Sequence, residues 1–124
     1  MKLQPDILNV QSITGYGPDW IGLGDEKIYT SVVIGSKGER FEWNCCRFED
    51  LNEVHFEMLA KIKPELVIFG SGLKLRFPPA RLTKELAMDR IGLETMDTQA
   101  ACRTYNILAG EGRHVLAALL LERR

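Results

Sequence analysis

Two short predicted strands in the second half of the chain constrain its fold most, because each runs directly into a polar turn. Leu66–Phe69 leads into Gly70-Ser71-Gly72, and Ile91–Met96 leads into Asp97-Thr98-Gln99. The first strand is apolar without alternation, which is typical of a strand buried on both faces. Parallel strands end at the same edge of a sheet, where open α/β folds bind ligands. We therefore expect the loops after residues 69 and 96 to be neighbours.

In the segments around these strands, apolar residues recur at the spacing of a helix. Apolar residues recur on one face of Leu51–Ile62, and Pro64 limits that helix at its end. Asp50 is the predicted N-cap, with Glu53 as its capping-box partner. Two further helices and a last strand are predicted at Ala80–Met88, Thr98–Ala109 and His114–Leu121.

The first 44 residues are predicted to form β structure, because apolar runs alternate with glycine-rich turns. The strand candidates are Ile7–Ile13, Trp20–Leu23, Ile28–Ile34 and Arg40–Asn44. The fold class is therefore α/β, with N-terminal β-hairpins that extend or cover a C-terminal parallel β-α-β-α-β unit. A length of 124 residues predicts a single domain over residues 1–124.

Composition excludes several classes of protein. The formal net charge of −1 argues against nucleic-acid binding, which needs a concentrated positive field. No apolar run reaches the roughly 18 residues of a membrane span, and the N-terminus has no signal-peptide core. The three cysteines form no CxxC pair and the two histidines stand alone, so neither a metal nor a cofactor is expected. Reduced thiols indicate a cytoplasmic protein.

The candidate ligand-binding residues lie in and after the two strand-end loops. Each also has a structural alternative: a tight turn for the glycine loop, a solvated edge for the cations and an N-cap for Asp97 or Thr98. Arg103 is a further cation in the helix that follows. No second carboxylate at useful spacing supports acid–base catalysis, so no catalytic residue is assigned. The candidates are Gly70, Ser71, Gly72, Lys74, Arg76, Asp97, Thr98 and Arg103.

Extended backbone over residues 73–77 would send Lys74 and Arg76 to one side and the intervening apolar residues to the other. Cys102, near the start of the third predicted helix, is expected to be a small buried residue. The alternative is a thiol activated by the helix N-terminus and Arg103.

Three segments carry a family resemblance: Val67–Gly72, Arg76–Pro78 and Gly92–Asn106. Together they resemble the Mth-type domain family, and the similarity covers nearly the whole chain. The resemblance implies a three-layer α/β fold with a mixed central sheet. It implies no established enzymatic activity. One member of the family is a mitochondrial complex I assembly factor, which implies protein partners.

Two hypotheses of function follow. The first is a noncatalytic interaction or assembly-accessory protein. The second is a binder of, or an enzyme acting on, a small anionic ligand at the edge formed by the loops after residues 69 and 96. A protein partner, a small anion and a second copy of the chain are all compatible with the sequence, whereas nucleic acid and membrane insertion are not expected.

Overall fold

The structure is a computed structural model that describes residues 10–122. Its strands are β1 (Gly15–Tyr16), β2 (Ile21–Leu23), β3 (Glu26–Ile28), β4 (Val32–Gly35), β5 (Arg40–Glu42), β6 (Leu66–Gly70), β7 (Gly92–Met96) and β8 (Val115–Leu119). Its helices are α1 (Glu53–Ile62), α2 (Lys84–Met88) and α3 (Thr98–Gly110), with short 3-10 turns at Phe48–Asp50 and Ala80–Leu82. None of the helices in residues 10–122 is both long and apolar enough to cross a bilayer.

The central sheet has the strand order β5-β4-β8-β6-β7. Strand β6 pairs in parallel with both β8 and β7, while β4 pairs antiparallel with β8 and with β5. Strands β1, β2 and β3 form a separate antiparallel sheet. The predicted α/β class, the mixed sheet and the parallel C-terminal unit are confirmed.

Two hydrophobic cores lie on opposite faces of the central sheet. In β8, Val115, Ala117 and Leu119 enter the core shared with α3 and the small sheet. The alternate residues Leu116 and Ala118 enter the core beneath α1 and α2. A strand that alternates between two cores must be apolar at every position, which explains the unbroken apolar run in this segment.

The prediction of a strand over Ile7–Ile13 is wrong where the structure can test it. Residues 7–9 lie outside the described residues, and residues 10–13 form no strand. Instead, the backbone N–H and C=O of Ile13 are both bonded at 2.8 Å by the side-chain amide of Asn106 in α3. Because a distant side chain satisfies this backbone, no strand partner is required there.

The predicted strand Ile28–Ile34 is divided between the two sheets, as β3 and β4. Ser31 lies where the chain crosses from one sheet to the other. The Ser31 hydroxyl accepts a hydrogen bond from Leu121 N at 2.8 Å, and its carbonyl accepts one from Trp43 N at 2.9 Å. These long-range bonds fix the crossing, and alternation within the sequence does not reveal them.

The predicted N-cap of α1 is wrong by two residues. Asp50 belongs to a 3-10 turn, and the cap is Asn52, whose side chain accepts a hydrogen bond from Val54 N at 2.9 Å. His55 completes the capping box because its Nδ1 accepts the Asn52 N–H at 3.0 Å. The imidazole takes the part that a Glu or Gln usually plays. Its Nε2 lies 2.8 Å from the carbonyl oxygen of Asn44.

Candidate functional site

The two strand-end loops meet, as the parallel topology predicts. Gly72 N donates to Thr98 Oγ1 at 2.8 Å, and Thr98 N donates to the Gly72 carbonyl at 2.9 Å. The Thr98 hydroxyl donates in turn to the carbonyl of Leu120 at 2.8 Å. A side chain at Gly70 would place its Cβ 2.9 Å from Thr98 Cα, so this close approach requires glycine.

Ser71 is fully buried and organises the loop that follows β6. Its hydroxyl donates to the carbonyl of Lys74 at 2.6 Å and accepts the N–H of Arg76 at 3.0 Å. These bonds close a bend over residues 72–74, so the backbone is not extended throughout residues 73–77. Lys74 and Arg76 nevertheless both line one cleft. The Ser71 hydroxyl is also too deeply engaged to serve as a nucleophile.

The side chain of Arg76 also fixes this loop in place. Its guanidinium donates to the Ser71 carbonyl at 2.6 Å and to the Glu122 carboxylate at 2.5 Å. The guanidinium also lies 4.6 Å from the centre of the Phe48 ring. Glu122 accepts the Phe48 N–H at 2.9 Å through its second oxygen. Burial raises the pKa of Glu122, but Arg76 and the Phe48 N–H outweigh it and hold that pKa below its ordinary value.

The anchored loop exposes three large apolar side chains. Leu73, Leu75 and Phe77 are 58%, 55% and 69% exposed. We call residues 73–77 the apolar loop. Lys74 within it is exposed, and it forms no salt bridge to any residue in the range 10–122.

A cleft of about 350 Å³ opens between the apolar loop and the start of α3. Of the predicted candidates, Gly72, Lys74, Arg76 and Thr98 line it. The remaining lining residues are Gly17, Pro18, Arg47, Glu49, Leu73, Gln99, Leu120 and Glu122. Glu122 was within reach of sequence reasoning, because it is the first charged residue after a strand that ends at this edge. Arg47 and Glu49 were not, because they come from a turn with no link in the sequence to the strand ends.

Asp97 and Arg103 have other roles. Asp97 is the N-cap of α3, and its Oδ1 accepts the Ala100 N–H at 2.9 Å. Arg103 donates to the hydroxyl of Tyr16 at 2.8 Å and does not line the cleft. The expected convergence of Arg103 with the loop edge is therefore wrong, because the small sheet places Tyr16 beside α3 and engages its guanidinium there.

Among the residues that the structure describes, those that line the cleft include no His, Cys, Ser or Tyr side chain. Within residues 10–122, no group of three His, Cys, Asp or Glu side chains is placed to hold a metal ion. The hydroxyls of Ser71 and Thr98 are both used in holding the loops together. What the cleft offers chemically is charge, because Arg47, Lys74 and Arg76 line it together with Glu49 and Glu122. Arg76 is paired with Glu122, and Arg47 is paired with Asp50 at 3.6 Å.

Cys102 is fully buried on α3, in the core shared with the small sheet. Burial raises the pKa of its thiol to about 12 and outweighs the lowering effect of Arg103. The thiol is therefore protonated at neutral pH, which favours the structural role over the nucleophilic one.

We expect Cys102 in the native protein to react slowly with iodoacetamide at neutral pH, and Cys102→Ala to lower the free energy of unfolding by about 1 kcal/mol. Peptide mass spectrometry over a pH series separates its labelling from that of Cys46, which is exposed and serves as the internal control. Labelling of Cys102 as fast as that of Cys46 would contradict a buried, inert thiol.

Comparison with known proteins places this geometry in a family. A crystal structure of a Bordetella parapertussis protein has a TM-score of 0.85 and 31% identity, and the match covers 91% of this chain and 97% of that one. A Bordetella pertussis protein described as a Mth938-like domain has a TM-score of 0.81 and 25% identity, over 98% and 93% of the two chains.

A longer relative carries a name that refers to complex assembly. NADH dehydrogenase (ubiquinone) 1 alpha subcomplex assembly factor 3 of Drosophila melanogaster is 27% identical over 112 residues, which is 87% of this chain and 57% of that protein. This chain thus spans little more than half the length of that relative. Residues 13–120 match a family described as "Protein of unknown function (DUF498/DUF598)". The chain therefore belongs to the DUF498 family, whose solved members include Mth938-like domains.

Proposed function

We propose that this chain is a noncatalytic accessory protein that binds a protein partner during the assembly of a larger complex. One observation carries the proposal: the apolar loop holds Leu73, Leu75 and Phe77 more than half exposed on a backbone fixed by Ser71 and Arg76. Apolar side chains grouped in this way are typical of interaction sites.

The anchoring of the loop favours binding energetically. Association loses free energy when a mobile segment becomes ordered, and a loop already held by hydrogen bonds loses less. The bonds from Ser71 to Lys74 and Arg76, together with the ion pair to Glu122, provide that preorganisation. Burying each apolar side chain would then contribute roughly 1–2 kcal/mol, since all three are already partly covered.

The name of the fly relative suggests the kind of complex. We extend to this chain a role in assembling an NADH dehydrogenase, with a subunit of that enzyme as the partner. We also propose that the protein works in the cytoplasm, which agrees with free thiols at Cys45, Cys46 and Cys102.

The cleft supports a second function, the binding of a small anion beside Lys74 and Arg47. Its volume of about 350 Å³ and the exposed Lys74, which forms no ion pair with any residue in the range 10–122, favour a phosphate- or carboxylate-sized ligand. Millimolar phosphate would then raise the melting temperature of the wild type and not that of the Lys74→Ala, Arg47→Ala variant. An equal rise in both proteins would assign the effect to salt.

The assembly role predicts a loss of mature NADH dehydrogenase in cells that lack the gene for this chain. Wild type should restore the complex on native gels stained for NADH oxidation, and the Leu73→Ser, Phe77→Ser variant should not. Because both side chains are exposed, the variant should melt within a few degrees of wild type.

Ile107→Ser is the matched control, because Ile107 is 63% exposed on α3 and lies outside the apolar loop. It should restore the complex fully. If the loop variant restored the complex, the apolar loop would not be needed for the function. If the deletion strain contained normal complex, the protein would have no role in assembling NADH dehydrogenase.

A further inference from the structure

The segment around the apolar loop concentrates positive charge in a chain that is otherwise acidic. Residues 73–84 contain Lys74, Arg76, Arg81 and Lys84 and no acidic residue, whereas the whole chain has a net charge of −1. Arg76 is paired with Glu122. The other three cations are exposed, and none of them forms a salt bridge within the described part of the chain.

The apolar loop forms part of the wall of the cleft. Leu73 and Lys74 belong to the apolar loop and also line the cleft. Arg47, Glu49 and Glu122 line it as well, but Arg47 is paired with Asp50 at 3.6 Å and Glu122 with Arg76, so Lys74 is the cleft cation with no ion pair among residues 10–122. A partner that covers Leu73 therefore brings its neighbouring groups over the mouth of the cleft. A flat lipid surface would leave the cleft unfilled, whereas a side chain of a protein segment can enter it.

We infer that the partner segment bound at the apolar loop is acidic as well as apolar, with a carboxylate seated in the cleft beside Lys74 and its apolar side chains against Leu73, Leu75 and Phe77. This inference rests on the proposed function and adds the chemistry of the partner. Charge complementarity of this kind steers association and selects against basic partners. The screening of exposed charges makes such binding weaker at high salt.

Three blocked peptides test the inference on the full chain. The acidic probe is acetyl-Leu-Glu-Leu-Asp-Phe-amide, and its matched probes replace the two acids by Gln and Asn or by two Lys. In titrations followed by amide NMR, the acidic peptide should shift the signals of residues 72–77. It should bind about tenfold more tightly than the neutral peptide at low salt, and the difference should shrink at high salt. The basic peptide should not bind.

Charge reversal identifies the cations responsible. Lys74→Glu, Lys84→Glu should remove the preference for the acidic peptide. Lys37→Glu, Lys61→Glu should retain it, because these exposed lysines lie in the β4–β5 turn and at the end of α1. Equal binding of the acidic and neutral peptides, or no shift at residues 72–77 with any peptide, would overturn the inference. So would binding to phosphatidylglycerol vesicles that the acidic peptide does not displace, since that result assigns the surface to a membrane.

The cell assay separates this inference from the proposed function. If Leu73→Ser, Phe77→Ser fails to restore the complex while Lys74→Glu, Lys84→Glu restores it fully, the function stands and the acidic partner is excluded. If the lysine variant also fails and its Lys37, Lys61 counterpart succeeds, both are supported.

Discussion

Replacing Thr98 by valine should lower the free energy of unfolding by about 2–4 kcal/mol, although the two side chains have almost the same shape. The Thr98 hydroxyl accepts the Gly72 N–H and donates to the Leu120 carbonyl, both at 2.8 Å. Thr98 is buried, so water does not replace the lost partner. One donor and one acceptor are left unpaired at the junction of three strand ends, and unfolding in guanidinium chloride measures the difference.

Thr98→Ser is the control, because it keeps the hydroxyl and removes only a methyl group. Its expected cost is about 1 kcal/mol. If the valine variant proves as stable as the serine variant, the hydroxyl does not hold the loops together. The amide signals of Gly72 and Leu120 should shift in the valine variant and remain close to wild type in the serine variant.

The central sheet could be predicted because the composition of its strands indicates whether they are buried. Leu66–Phe69 and the core of His114–Leu121 are apolar at every position, which indicates burial on both faces. Two such strands separated by helices leave few topologies, since crossovers are right-handed. The same logic predicts that Gly72 and Thr98 are neighbours, and they are joined by a hydrogen bond of 2.8 Å.

The small sheet could not be predicted in the same way. Its strands are two or three residues long, and long-range contacts decide where they lie. Asn106 satisfies the backbone of Ile13 from 93 residues away, and Ser31 joins the chain crossing to Leu121. A local pattern contains no information about partners at such distances, so the sequence predicts one strand over Ile28–Ile34 where the fold has two.

In the cleft, the positions of residues could be predicted from the sequence, but not all of their roles could. Lys74 and Arg76 follow a strand end, so their position could be predicted, and both line the cleft. The role of Arg76 could not, because it depends on Glu122, which the fold places beside it from 46 residues away. A cation that looks available for a ligand in the sequence is an anchor in the structure.

That anchoring makes a second large effect measurable. Arg76→Ala should lower the free energy of unfolding by about 2 kcal/mol at neutral pH, because a charge-assisted bond to Glu122 and a bond to the Ser71 carbonyl are lost together. The Arg76 and Glu122 side chains are 27% and 28% exposed, so solvent screens the pair only partly. Arg76→Lys should recover less than half of the loss, since an ammonium cannot reproduce the planar geometry of the guanidinium.

The stabilisation by the Arg76–Glu122 ion pair should depend on pH. The pKa of Glu122 is lower in the folded protein than in the unfolded chain, so the stabilisation by the pair is fully present above the unfolded value of about 4.3. It is lost as the pH falls through the lower folded pKa. The difference in unfolding free energy between wild type and Arg76→Ala should therefore be largest near neutral pH and should narrow below about pH 4.

Arg81→Ala, which removes an exposed cation from the same segment, is the control and should show no such difference. A difference for Arg76→Ala that stayed constant down to low pH would show that packing on Phe48, and not the carboxylate, holds the loop in place.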